Sequence, residues 1–147
     1  MAEQNFKNHT RLVAGYHGIT FLLILSGLIG SIVNLIKADT GTHYTGTHYS
    51  AALLVVVFLA LVGIFWYARS FALKAQDRAI RAEENFRHFI LTGKPLDKQL
   101  RMGQIIGLRF ASDEEMPALA NRAAEEKLSQ KDIKQAIQNW RADYYRV

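Results

Sequence analysis

Residues 18–36 read GITFLLILSGLIGSIVNLI, and residues 51–68 read AALLVVVFLALVGIFWYA. The first run lies in a charge-free stretch, 12–36, and the second in another, 40–68. A helix of about 20 apolar residues crosses the roughly 30 Å hydrocarbon core of a bilayer. One such run can also be the core helix of a globular domain. Two of them in a chain of 147 residues leave too little other protein to bury both. A cleaved signal peptide is another reading of the first run, but the run is too long and no small-x-small site follows it cleanly. The expectation is two transmembrane helices, 12–36 and 51–68, joined as a helical hairpin.

Orientation follows from Lys and Arg near the ends of the spans. Lys7 and Arg11 precede the first span, and Arg69, Lys74, Arg78 and Arg81 follow the second. The connecting segment has only Lys37, offset by Asp39. Both termini, the N-terminal segment 1–11 included, are therefore expected in the cytoplasm and the 37–50 loop on the opposite side.

That loop contains TGTHYTGTHYS at 40–50, a local duplication. Gly41 and Gly46 suit turns, and Tyr44 and Tyr49 suit the water–lipid interface. His43 and His48 are weak candidates for Zn²⁺ or Cu²⁺, since imidazole ligates both. Two ligands on one loop make a poor site, so a polar interfacial turn is the preferred reading. His17 beside Tyr16 has no second intramembrane histidine to complete a haem site. No cofactor is expected.

Beyond the second span the sequence stays helical. Residues 69–91 lack Pro and Gly and are rich in strong helix formers. One helix is expected over 50–91, its part 69–92 extending into the cytoplasm. The turn at 92–95, Thr-Gly-Lys-Pro, ends it. Asp77–Arg81, Glu83–Arg87 and Glu84–His88 are spaced for i,i+4 pairing. Phe58, Leu61, Phe65, Ala68, Ala72, Ala75, Ala79, Ala82, Phe86 and Phe89 recur at alternating spacings of three and four, a heptad seam of the coiled-coil kind. Its alanine centre admits close approach of another helix. Two readings stay open: the chain's own C-terminal helices cover the stripe, or it is a seam for self-association or a partner. Leu73 and Ile80 widen the apolar face and favour the first. Within the first span, Gly27, Gly30 and Ser31 include a small-x-x-x-small pattern that permits close helix contact in lipid.

Three short helices are expected in the tail, 93–147. The first covers 98–110, with Leu100, Ile105, Ile106 and Phe110 apolar. The second has Ser112 as N-cap and Glu115 at N3 of a capping box, and runs to about residue 127. The third opens at Ser129 with Asp132 at N3 and Leu128 and Ile133 as a hydrophobic staple. Ile133, Ala136, Ile137, Trp140 and Tyr144 would mark its buried face.

The net charge of +5 invites a nucleic-acid reading, but its distribution does not support one. Residues 69–101 hold eight basic and four acidic side chains, whereas 102–147 hold seven of each. The excess lies beside the second span, where Arg69, Lys74, Arg78 and Arg81 can meet anionic headgroups at about 1 kcal/mol per basic residue. A helix-turn-helix resemblance over 124–137 would send Gln130, Lys131 and Lys134 toward DNA, with Lys127 where such turns often have glycine. Motifs for phosphate, acyl or metal-assisted chemistry are missing from the sequence. No ionisable residue sits mid-span, which counts against an ion or proton path. The cysteine count is zero, so thiolate sites are excluded.

The segments FALKAQDRAIRAEENFRHFILTGKPL, QIIGLRFASDEEMPALANRAAEE and IKQAIQNWRADYYRV, which cover most of the chain after the second span, resemble an uncharacterised family of small two-span bacterial membrane proteins with a cytoplasmic helical tail. The resemblance implies the bacterial inner membrane and no particular activity. It does not include the GTHYTGTHYS loop. The resulting expectation is an all-α integral membrane protein without enzymatic function. It would serve as an accessory subunit or self-associating scaffold of a membrane complex. The alternatives are an anionic-lipid-sensing adaptor and, further off, a membrane-tethered DNA binder.

Overall fold

A computed structural model describes residues 4–8, 12–38 and 45–144, with the backbone alone for 45–47. Among these residues the protein is all-α. A π-helical segment, Ala14–Thr20, leads into α1 (Phe21–Lys37), followed by α2 (Thr45–Thr92), α3 (Met102–Leu108), α4 (Met116–Glu125) and α5 (Gln130–Ala136). The only β-type pairing among them is an isolated antiparallel bridge between Ala111 and Trp140. The chain divides into two compact units, Leu12–Phe71 and a second made of Met1–Arg11 with Ala72–Val147.

Leu12–Phe71 contains α1 and the first part of α2. The two helices long and apolar enough to cross a membrane, Ala14–Lys37 and His48–Thr92, have their most apolar windows only 6% buried. Most of their leucines, isoleucines and valines are exposed, the arrangement lipid solvation favours and water does not. What the two helices share is small: the Tyr16 ring stacks on Phe65 at 4.3 Å between centroids, and its hydroxyl donates to the Phe65 carbonyl. Phe58 lies over Gly27, where any Cβ would run into the aromatic ring. Ser31 is buried and donates to the Leu28 carbonyl at 2.8 Å. A Cβ on Gly30, by contrast, would meet nothing within 4 Å. Of the small-residue set, Gly27 and Ser31 are enclosed and Gly30 is open.

In the other unit a single core gathers Ile80 of α2 with Leu96, Leu100, Ile105, Leu108, Phe110, Met116, Ala123, Ile133 and Ile137. Phe110, Leu108, Met116 and Ile133 are fully enclosed, each contributing about 1.5–3 kcal/mol by burial. Gly107 brings α3 against α5, its missing side chain filled by Ile133. The buried Gln104 amide donates to the carbonyls of Ala123 (2.8 Å) and Leu128 (3.0 Å), and its oxygen accepts from Arg101 N–H at 2.8 Å. One side chain thereby starts α3 and holds the end of α4.

Several local expectations change. The second long helix begins at Thr45, not 50, so His48 and Tyr49 belong to α2 instead of a loop. It ends at Thr92 as the turn chemistry requires: Gly93 adopts φ +72° and donates to Phe89 at 2.8 Å. The first tail helix covers only Met102–Leu108, because Asp97 folds residues 97–100 into a turn, accepting from Gln99 N–H at 2.8 Å. The second starts at Met116, after a turn in which Ser112 Oγ accepts from Glu115 N–H at 3.4 Å. The Glu115 carboxylate does not close a capping box. It accepts instead from Gln138 N–H (3.2 Å) and from the backbone and amide of Asn139 (both 3.0 Å). The third helix keeps its expected start, with Ser129 accepting from Asp132 N–H and Asp132 from Ser129 N–H, both at 3.2 Å. It stops at Ala136, so Trp140 and Tyr144 sit in an extended segment and not on a helical face. That segment is held by Arg141 N–H donating to the Phe110 carbonyl at 2.8 Å.

Candidate functional site

Between residues 72 and 92, α2 offers the tail one face and leaves another open. The tail covers Ile80, Glu84 and His88, which are 4, 5 and 6% exposed. These positions are one turn apart. The expected seam lies on a different side: Ala75, Ala79, Ala82, Phe86 and Phe89 are exposed and Ala72 is half-buried. Phe86 is 65% exposed, Phe89 51% and Ile90 66%. The apolar width that Ile80 adds therefore serves the tail, while the seam itself stays uncovered.

The covered face is mainly polar. Arg87 donates to Glu84 at 2.9 Å, to Asp113 at 2.7 Å and to the Ala111 carbonyl at 2.8 Å. Asn85 accepts from Leu96 N–H at 2.9 Å, and His88 Nδ1 lies 2.8 Å from the Lys94 carbonyl. These contacts supersede two expected pairings on the helix surface: Arg87 turns to Glu84 rather than Glu83, and His88 to backbone rather than Glu84. In an ordinary amphipathic helix the apolar stripe faces the core and the polar face meets water. Here the polarity is reversed, with aromatic and alanine residues outward.

Among the clefts that flank the seam, two are lined by its alanines. One, of about 540 Å³, is lined by Gln76, Ala79, Ile80, Glu83, Glu84, Arg109 and the segment 141–144. Its buried charges are matched within the chain: Arg109 pairs with Asp143, and Glu84 with Arg87, with Arg141 3.9 Å away. Gln4 from the N-terminal segment accepts from Asp143 N–H at 2.7 Å and donates to its carbonyl at 3.3 Å. The sequence carried no signal of this pairing, since 139 residues separate the partners. The other cleft, about 450 Å³, runs beside Arg78, Arg81, Ala82 and Asn85 toward Leu96 and Leu100.

His43 lies outside the described residues, and His48 is on α2. Among the described residues no group of three or more His, Cys, Asp or Glu could hold a metal ion. Lys74, Arg78 and Arg81 are exposed and Arg69 is half-buried. Of the residues proposed to reach DNA, Lys131 is exposed but Lys134 is buried, its ammonium 5.1 Å from the centre of the Phe110 ring. Lys127, where such turns often have glycine, lies just past the end of α4 with φ +52°.

Two carboxylates at helix starts are stabilised in the charged form. The Ser112 hydroxyl and then its own backbone N–H hold Glu114 below the usual carboxylate range. The Ser129 hydroxyl and then the Ser129 backbone do the same for Asp132.

No curated protein and no solved structure matches this chain. A family model does match, and it extends over both long apolar runs and the duplicated loop as well as the tail. The chain belongs to this family of unknown function, DUF6526, whose model covers residues 1–147.

Proposed function

We propose that this protein is a non-enzymatic component of a membrane assembly, a self-associating scaffold or an accessory subunit. In this reading α1 and the apolar part of α2 form a two-span hairpin in a bacterial inner membrane, with both termini cytoplasmic. The charge asymmetry around the spans and the outward-facing apolar side chains of both helices support that placement. The observation that carries the functional reading is the reversed polarity of α2. Its own tail occupies the polar Glu84–Arg87–His88 face, so Ala75, Ala79, Ala82, Phe86 and Phe89 remain for another molecule. The test is the mass and composition of the complex extracted from native membranes in mild detergent. Replacing Ala75 and Ala79 together by Gln should shrink the complex, and an unchanged size would reject the reading.

A second reading, an adaptor for anionic lipid, is favoured by the exposure of Lys74, Arg78 and Arg81. The full chain in nanodiscs should then melt higher with anionic than with neutral lipid. Alanine at the three positions should remove that difference.

A further inference from the structure

We infer that the partner of this seam is a second copy of the same chain, paired in parallel and in register. The inference rests on the assembly reading above and specifies its occupant. In heptad terms Ala72, Ala79 and Phe86 take a positions and Ala75, Ala82 and Phe89 take d positions, with Arg78 at g and Glu83 at e. In a parallel two-stranded coil, each g side chain faces the partner's e side chain five residues further on, and these pairs set orientation. Arg78 and Glu83 are five residues apart, of opposite charge and exposed, and neither is ion-paired within the chain among the described residues. Two-fold symmetry makes the pair twice. An antiparallel arrangement sets g against g and e against e, and loses it.

The row is also complementary to itself. In register, alanines face alanines and allow close backbone approach, while Phe86 and Phe89 meet their symmetry mates at one end. Each aromatic removes about 150–250 Å² from water when enclosed. The membrane supplies the orientation: α2 is one helix from Thr45 to Thr92, so copies inserted with the same topology carry their seams in the same direction. The residues of α2 that the tail buries, Ile80, Glu84 and His88, take b, f and c positions, across the helix from a and d.

The chain has no cysteine, so single-cysteine variants report one position each. Ala79→Cys and Ala82→Cys, oxidised in native membranes, should give disulfide-linked homodimers. Asn121→Cys, exposed on α4, should not. Arg78→Glu and Glu83→Arg should each lower the cross-linked fraction from Ala79→Cys a few-fold, and the two together should restore it. Absence of homodimer from both seam cysteines overturns the inference, as does failure of the double charge swap to restore it. If the complex nevertheless shrinks with the Ala75 and Ala79 replacements, the seam holds a different protein and the assembly reading stands. If its size does not change, both fail.

Discussion

Gly107 of α3 rests against Ile133 of α5 so closely that a Cβ on the glycine would stand 3.0 Å from the isoleucine Cγ2 and 3.3 Å from the Gln130 carbonyl. Ile133 is fully buried and β-branched, with little freedom to yield. At Gly103, one helical turn earlier, the nearest contact would be an ordinary 3.6 Å. Gly107→Ala should therefore lose about 1–3 kcal/mol to overpacking, partly offset by helix propensity. Gly103→Ala should gain up to about 1 kcal/mol. Thermal unfolding of the two variants checks the order, and equal midpoints would contradict it.

Arg87 joins α2 to the turn before α4, and its loss leaves Glu84 buried beside only the distant Arg141. Arg87→Met should cost about 2–4 kcal/mol, toward the range for breaking a buried pair. Asp113 is 60% exposed at its side chain, so Asp113→Asn should cost under about 1 kcal/mol. Denaturation midpoints of the two variants measure the gap.

Asp132 gains its low pKa chiefly from the Ser129 hydroxyl. A carboxylate whose folded pKa lies below its unfolded value of about 4 contributes stability that is fully present above that value. The contribution is lost as pH falls through the folded pKa. Ser129→Ala should lower the melting temperature at pH 7, and the difference from the parent protein should narrow below about pH 4. A gap independent of pH would show that the Ser129–Asp132 bond does not set it.

Lys134 packs its ammonium over Phe110, while Lys131, three residues earlier on the same short helix, stays in solvent. Lys134→Ala should destabilise the fold by about 1–2 kcal/mol through lost packing and cation–π attraction. Lys131→Ala should stay within about 0.5 kcal/mol. Equal effects in a melting experiment would remove Lys134 from the core.

Gly27 and Gly30 separate intramolecular from open small-residue positions. Gly27→Val would collide with Phe58, whereas Gly30→Val meets nothing within the chain. Gly27→Val should therefore loosen α1 from α2, seen as faster proteolysis in detergent, and Gly30→Val should leave that rate unchanged.

What the sequence determined by itself was local or one-dimensional. Two long uncharged runs imply two long apolar helices because length and transfer free energy add along a segment. The Gly93 stop and the Ser129 cap were legible because each satisfies backbone groups within a few residues. Only the tertiary structure decided which side of α2 the tail covers. Ile80 and the alanine row are both apolar by composition, and their pattern alone does not rank them. The choice fell to contacts with residues beyond the end of α2: Arg87 with Asp113 and the Ala111 carbonyl, Asn85 with Leu96, and His88 with Lys94. Hydrogen bonds of a buried polar face are worth making only where partners with matching geometry exist, and those partners come from the folded tail. The same reason hid the Glu115 contacts with 138–139 and the Gln4–Asp143 pairing, and it left the alanine and phenylalanine row facing outward.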